Sequence, residues 1–140
     1  KSMDHVSAER VLSGPGLVNL YEALCIIDGG EPAALKPADV TAAAIAGRDA
    51  HCVEAVEMFC AMLGTVAGNL ALTLGARGGV YVAGGIVPRL GAMFAHSRFR
   101  KRFVEKGRMR DFLSPIPTRV ITHDLPAFVG LATAAMMAQD

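Results

Sequence analysis

A mostly helical α/β fold with two parallel-type strands is predicted by three features of this 140-residue chain. Most of its length carries apolar residues at helical spacing. Two short runs, Val80–Ala83 and Thr118–Thr122, are rich in β-branched residues and bounded by glycine or proline. A long helical stretch separates them, and a connection of that length suits a crossover between parallel strands rather than a hairpin. Two strands alone make a marginal sheet, so partner strands are expected upstream.

In chain order, residues 4–12 read as a short helix with Asp4 or Ser7 as its cap, and Gly14-Pro15-Gly16 as a break after it. A second helix runs from Leu17 to about Ile27, with Leu17, Leu20, Leu24 and Ile27 on one face. Gly29-Gly30 ends it, and Pro37 opens a third, alanine-rich helix. The strongest periodicity lies between Asp49 and Leu74. There Val53, Val56, Cys60, Leu63, Ala67, Leu70 and Leu74 alternate steps of three and four, and Gly75 is the expected stop. Gly64 and Gly68 sit one turn apart, so a second helix can approach closely and offset their helix cost of roughly 1 kcal/mol each. After the first strand, Gly84-Gly85 leads to a helix beginning at Pro88. Ser97 can cap a further helix reaching Lys106, and a short turn spans Met109 to Leu113. After the second strand, Asp124 is the expected cap of a last helix with Pro126 in its first turn.

Composition narrows the function classes. Hydrophobic residues make up 52% of the chain and charged residues 19%, below the roughly 25% usual for a soluble domain. That deficit predicts surface covered by another chain or segment. A net charge of +1 argues against nucleic-acid or membrane binding by bulk electrostatics. No uninterrupted apolar run reaches the roughly 18 residues of a membrane helix. Cys25, Cys52 and Cys60 form no CxxC pair, and Cys52 and Cys60 lie more than two helical turns apart. Buried thiols in a reducing cytoplasm are the expectation. The chain opens on Lys1 rather than Met and a helix-like pattern begins almost at once, which predicts a piece of a longer protein.

Four places could carry chemistry. The turn from the first strand through Gly84-Gly85 would let backbone lie flat against a ligand, with a helix N-terminus behind it. Such turns fall at the carboxyl ends of strands, where open α/β sheets bind ligands; the alternative is glycine needed only for backbone angles. Glu9, one turn after His5, can accept two hydroxyl protons, although a solvated surface glutamate is the commoner outcome. His123-Asp124 follows the second strand, with helix capping favoured over catalysis. Arg98, Arg100, Lys101, Arg102, Lys106, Arg108 and Arg110 are interrupted by Phe99, Phe103 and Phe112, the pattern of an amphipathic surface more than of a phosphate site. Gly64–Gly68 superficially suggests a phosphate loop but lacks lysine and lies inside the long apolar stripe.

Three segments carry a family resemblance. His5-Val6-Ser7-Ala8-Glu9-Arg10-Val11-Leu12-Ser13-Gly14-Pro15-Gly16-Leu17-Val18-Asn19-Leu20-Tyr21 is similar to a segment of proteobacterial-type glucokinases. So are Gly68-Asn69-Leu70-Ala71-Leu72, with Gly78-Gly79-Val80-Tyr81-Val82-Ala83-Gly84-Gly85-Ile86-Val87-Pro88-Arg89, and His123-Asp124-Leu125-Pro126, where the family often has Asn at position 125. The resemblance implies the C-terminal part of the large domain of an actin/hexokinase-type (ribonuclease H-like) two-domain kinase, covering residues 1–140. It implies transfer of the ATP γ-phosphoryl group to the 6-hydroxyl of glucose with Mg²⁺, in a cytoplasmic homodimer. In that picture Glu9 binds glucose hydroxyls, Gly84 and Gly85 form the adenosine-side glycine motif, and Gly14 and Gly16 flank the same cleft. The catalytic Asp, the Asp-x-Gly-Gly-Thr phosphate loop and the Glu-Gly-Gly-His sugar contacts of the family have no counterpart here. The isolated chain is therefore expected to be inactive. The alternatives are a sugar-sensing regulatory module, a bifunctional kinase joined to a helix-turn-helix regulator, or a dimerisation element.

Overall fold

The computed structural model describes His5 and residues 7–138, and the expected Asp4 cap lies outside the described residues. Among the described residues of 4–12 the helix is replaced by a 3-10 turn, Ala8–Arg10, and the Ser7 side chain makes no cap bond. The chain then enters α1 (Gly14–Ile27). Gly14-Pro15-Gly16 is thus the first turn of the helix and not a break before it. Ser13 Oγ accepts the Gly16 N–H at 3.1 Å, and proline costs nothing where no intrahelical N–H bond exists. Gly16 is there for space. A Cβ on it would lie 2.5 Å from the Val11 carbonyl oxygen, so the preceding turn folds directly onto the helix.

α2 (Pro37–Ile45) begins at its proline, with the Lys36 N–H donating to the Asp39 carboxylate at 3.0 Å. α3 (Ala50–Leu74) is bounded as the sequence predicts. Asp49 Oδ1 accepts the Cys52 N–H at 3.0 Å, and Gly75 closes the helix in the left-handed conformation, φ 60°. Its buried face is broader than the predicted stripe and turned away from part of it. Cys52, Ala55, Phe59, Gly64, Gly68 and Ala71 are buried, whereas Leu70 and Leu74 are 55% and 75% exposed. The reason is coverage: α1, α2 and α6 (Phe99–Val104) pack on α3, whereas Leu70 and Leu74 line an open groove of about 380 Å³ shared with Val80, Tyr81 and Val82. By length and hydropathy α3 is the one described helix that could cross a membrane, and here it is the hub of the helical core.

The α3–α6 crossing is backbone against backbone. A Cβ on Gly64 would overlap the Phe99 carbonyl oxygen, and one on Gly68 would come within 2.5 Å of the Phe103 carbonyl oxygen. α6 is shorter than predicted, stopping at Val104 rather than Lys106. Ser97 Oγ does accept the Phe99 N–H, at 3.3 Å. Phe99 and Phe103 point inward, and three of the basic residues act as internal ties. Arg100 donates to the Ser114 and Ile116 carbonyls at 2.7 and 2.8 Å, Arg102 to Thr65 Oγ1 at 3.3 Å, and Lys106 Nζ to the Thr65 carbonyl at 2.9 Å.

The two strands, β1 (Val80–Val82) and β2 (Thr118–Val120), pair in parallel with Val80 opposite Thr118. Between them lie α4 (Ile86–Leu90), α5 (Ala92–His96), α6 and α7 (Arg110–Leu113). α4 starts two residues before Pro88, the predicted first residue. α8 (Pro126–Met137) ends the described chain with none of its residues buried; Phe128, Leu131, Met136 and Met137 face solvent. That exposure has the sense the low charge content predicts.

All three cysteines are buried free thiols. Burial raises the Cys52 and Cys60 thiols from 9.0 to about 11, with Asp49 adding to the rise at Cys52. Above pH 9 an unfolded chain sheds these protons while the folded protein keeps them. Their stabilisation is therefore complete below the unfolded value and lost as pH climbs through about 11. Each thiol contributes on the order of 2 kcal/mol. Lys106, lowered by burial and by Arg102, acts in the opposite sense, adding stability as pH rises. Urea melts of Cys60→Ala should show a shallower alkaline loss of stability than the parent, and parallel pH profiles would contradict the assignment.

Candidate functional site

Parallel pairing puts the carboxyl ends of β1 and β2 side by side, so the segments that leave them meet. Gly84-Gly85 leaves β1, and Thr122-His123-Asp124 follows β2. Between them lies a cavity of about 300 Å³, whose wall includes Gly84, Gly85, Arg89, Thr122, His123 and Asp124.

The two glycines differ in what requires them. Gly84 has φ 116°, a conformation that side-chain-bearing residues rarely adopt, so the turn itself requires it. Gly85 has φ −84° and ψ −13°, open to any residue, and a Cβ there would meet nothing within 4 Å. The fold does not need glycine at 85. Its missing side chain leaves room on the cavity side. The expected contribution of a helix N-terminus shrinks, because α4 has five residues and ends at Leu90.

Asp124 does not cap α8. The N-cap position is Leu125, without a side-chain cap bond, and its N–H donates to His123 Nδ1 at 3.0 Å. The histidine ring takes the role expected of the aspartate. As acceptor, Nδ1 carries no proton, so the neutral ring holds its proton on Nε2. The Asp124 carboxylate is left without a hydrogen-bond partner among the described residues, on the wall of the cavity.

Arg89 also lines a second, apolar groove of about 200 Å³, bounded by Pro37, Ala38, Thr41 and Ile45 of α2 and Ile86 of α4. Gly14 lies beside this groove, since a Cβ on it would touch Pro37 at 3.4 Å. Gly16 faces the other way, under Val11. Glu9 sits exposed on the 3-10 turn before α1. That turn is fixed by the Leu12 N–H on the Ala8 carbonyl at 2.8 Å and by Asn19 Nδ2 on the Arg10 carbonyl at 3.1 Å. The structure thus gathers Gly84, Gly85, His123 and Asp124 at one place, with Gly14 at the edge of the adjoining groove. Glu9 stands on a separate exposed turn.

Sequence reasoning missed the α2 side of this region. An alanine-rich helix carries no chemical signal, and Arg89 stood out only as the last residue of a quoted segment. Among the described residues no three His, Cys, Asp or Glu side chains converge to hold a metal ion.

Comparison with known proteins bears on this arrangement. A protein-family model described as Glucokinase matches residues 1–138. A glucokinase of Nitrobacter hamburgensis is 61% identical over 128 residues, covering 91% of this chain and 40% of that protein. One of Chromobacterium violaceum is 59% identical over 91% of this chain and 37% of its own length. The crystal structure of a glucokinase from an Antarctic psychrotroph superposes with a TM-score of 0.86 at 38% identity, over 93% of this chain and 40% of that one. The chain thus spans about 40% of the length of these relatives. A match along nearly every residue, in sequence and in three dimensions, has one reading: the chain belongs to the glucokinase family.

Proposed function

We propose that this chain is the C-terminal part of the large domain of an actin/hexokinase-type glucokinase, cytoplasmic and homodimeric. The whole protein transfers the γ-phosphoryl group of MgATP to the 6-hydroxyl of glucose. The observation that carries the reading is the open turn at Gly84-Gly85, at the carboxyl ends of two parallel strands, in a chain of this family. The turn serves the nucleotide side of the cleft. Glu9, exposed and unpaired among the described residues, serves the sugar side. Its carboxylate can accept hydrogen bonds from two neighbouring hydroxyls and orient the sugar for transfer. Phosphoryl transfer also needs a base at the acceptor hydroxyl and groups that neutralise the phosphates. The family's residues for both tasks have no counterpart in these 140 residues, so the chain alone does not turn over.

A coupled assay for glucose 6-phosphate tests this on the 140-residue chain and on a longer form carrying the upstream family segments. The expected result is no turnover from the short chain and glucose-dependent ADP formation from the longer one. In the longer form Glu9→Gln should raise the KM for glucose roughly 10- to 100-fold, the loss of one charged hydrogen-bonding group. Turnover by the short chain, or an unchanged KM, would overturn the respective part.

A further inference from the structure

We propose that Asn19 is a positioning residue for the sugar: from the second turn of α1 it clamps the turn that carries Glu9, and so sets how well Glu9 meets the sugar hydroxyls. The inference rests on the sugar-side reading of Glu9 and adds the residue that aims it.

Glu9 is exposed, so the place of its carboxylate is set by the backbone beneath it, the three-residue 3-10 turn Ala8–Arg10. A turn this short is a weak scaffold. Its own bonds are local: the Arg10 N–H on the Ser7 carbonyl at 3.1 Å, and the Val11 and Leu12 N–H groups on the Ala8 carbonyl at 3.1 and 2.8 Å. The tie to the rest of the protein comes from α1. Asn19 Nδ2 donates to the Arg10 carbonyl at 3.1 Å, and Arg10 is the residue directly after Glu9. Gly16 supports the same place. A Cβ on Gly16 would stand 2.8 Å from that Arg10 carbonyl oxygen, so the helix backbone closes against the turn while the Asn19 amide grips it. Gly16 and Asn19 are three residues apart, hence on one face of α1. The Ser13 cap on the Gly16 N–H fixes the helix start from which both act. The chemistry is specific to the amide. A carboxylate in its place would set acceptor against acceptor, and an apolar side chain would offer no donor. The bond is exposed, so its loss bears on the turn more than on the core. Two simultaneous hydrogen bonds from Glu9 to a sugar tolerate little displacement, and a misplacement of about 1 Å is enough to weaken them.

The test uses the longer form carrying the upstream family segments. Asn19→Leu removes the donor at similar bulk and with a good helix former, so thermal melts should match the parent. The KM for glucose should rise about three- to tenfold, the range of one hydrogen bond, while the KM for MgATP stays within about twofold. Added to Glu9→Gln, the same replacement should change the KM for glucose by less than about twofold, because a residue acting through Glu9 has nothing left to aim. Hydrogen exchange read by mass spectrometry follows the clamp without sugar: a peptide spanning residues 8–12 should exchange about tenfold faster in Asn19→Leu, with α3 unchanged. An equal rise in KM with and without Glu9→Gln would overturn the proposal and leave the sugar reading of Glu9 standing. So would parental exchange over residues 8–12, or a parental KM in Asn19→Leu where Glu9→Gln raises it. A parental KM in Glu9→Gln would remove both.

Discussion

Phe103→Ala should lower the unfolding free energy by about 4 kcal/mol, within the range of roughly 3–5 kcal/mol for emptying a fully buried aromatic site. Phe103 is 0% exposed, its ring centroid is 6.4 Å from that of Phe99, and the Arg100 guanidinium lies 5.0 Å above it. Truncation removes more than apolar area. Arg100 holds the Ser114 and Ile116 carbonyls while resting on this ring, so the loop into β2 loosens with it. In a chain of this size the midpoint of thermal unfolding should fall by roughly 10–20 °C. A loss under about 1 kcal/mol in urea melts would mean that α6 collapses into the space and that the crossing with α3 is not rigid.

Gly64→Ala should also destabilise, by about 2 kcal/mol, although alanine is the better helix former by roughly 1 kcal/mol. The methyl would occupy the place of the Phe99 carbonyl oxygen, which is backbone and cannot rotate away. Relief requires α6 to move bodily, and with it the ties from Arg102 and Lys106 to Thr65. Gly130→Ala in α8, where nothing lies within 4 Å, is the matched control and should not lower the midpoint. Gly64→Ala and Gly68→Ala combined should cost less than the sum of the two, because one shift of α6 relieves both overlaps. Strict additivity would show that the helices yield locally.

Legibility in the sequence followed the range of the forces involved. Signals that act over four residues were readable: Asp49 and Gly75 bound α3, Pro37 opens α2, and the close approach at Gly64 and Gly68 exists. Both strands and their parallel sense followed from composition and connection length. Periodicity names the apolar residues of α3 but not what covers them, so Leu70 and Leu74 read as interior although they line an open groove beside β1. Side-chain choice at termini was the other gap. Ser7 and Asp124 have the right chemistry for caps, and at the start of α8 a histidine nitrogen took the bond instead. At the site, both glycines were legible, whereas the α2 wall required the fold, because alanine, proline and isoleucine become a groove only when α4 lies opposite.

The pairing of β1 with β2 leaves each strand one unpaired side among the described residues. Each side presents a row of amide donors and carbonyl acceptors, the template by which a sheet accepts another strand. Tyr81, 59% exposed on β1, projects from the face of the sheet beside the Arg119 guanidinium, 5.8 Å from its ring centroid. At three residues each, the strands are too short to hold a foreign segment by backbone bonds alone. Strand capture by this chain is therefore decided by side chains beyond the ladder. Its colloidal behaviour should then follow protein concentration and hydrophobic cosolutes more than ionic strength.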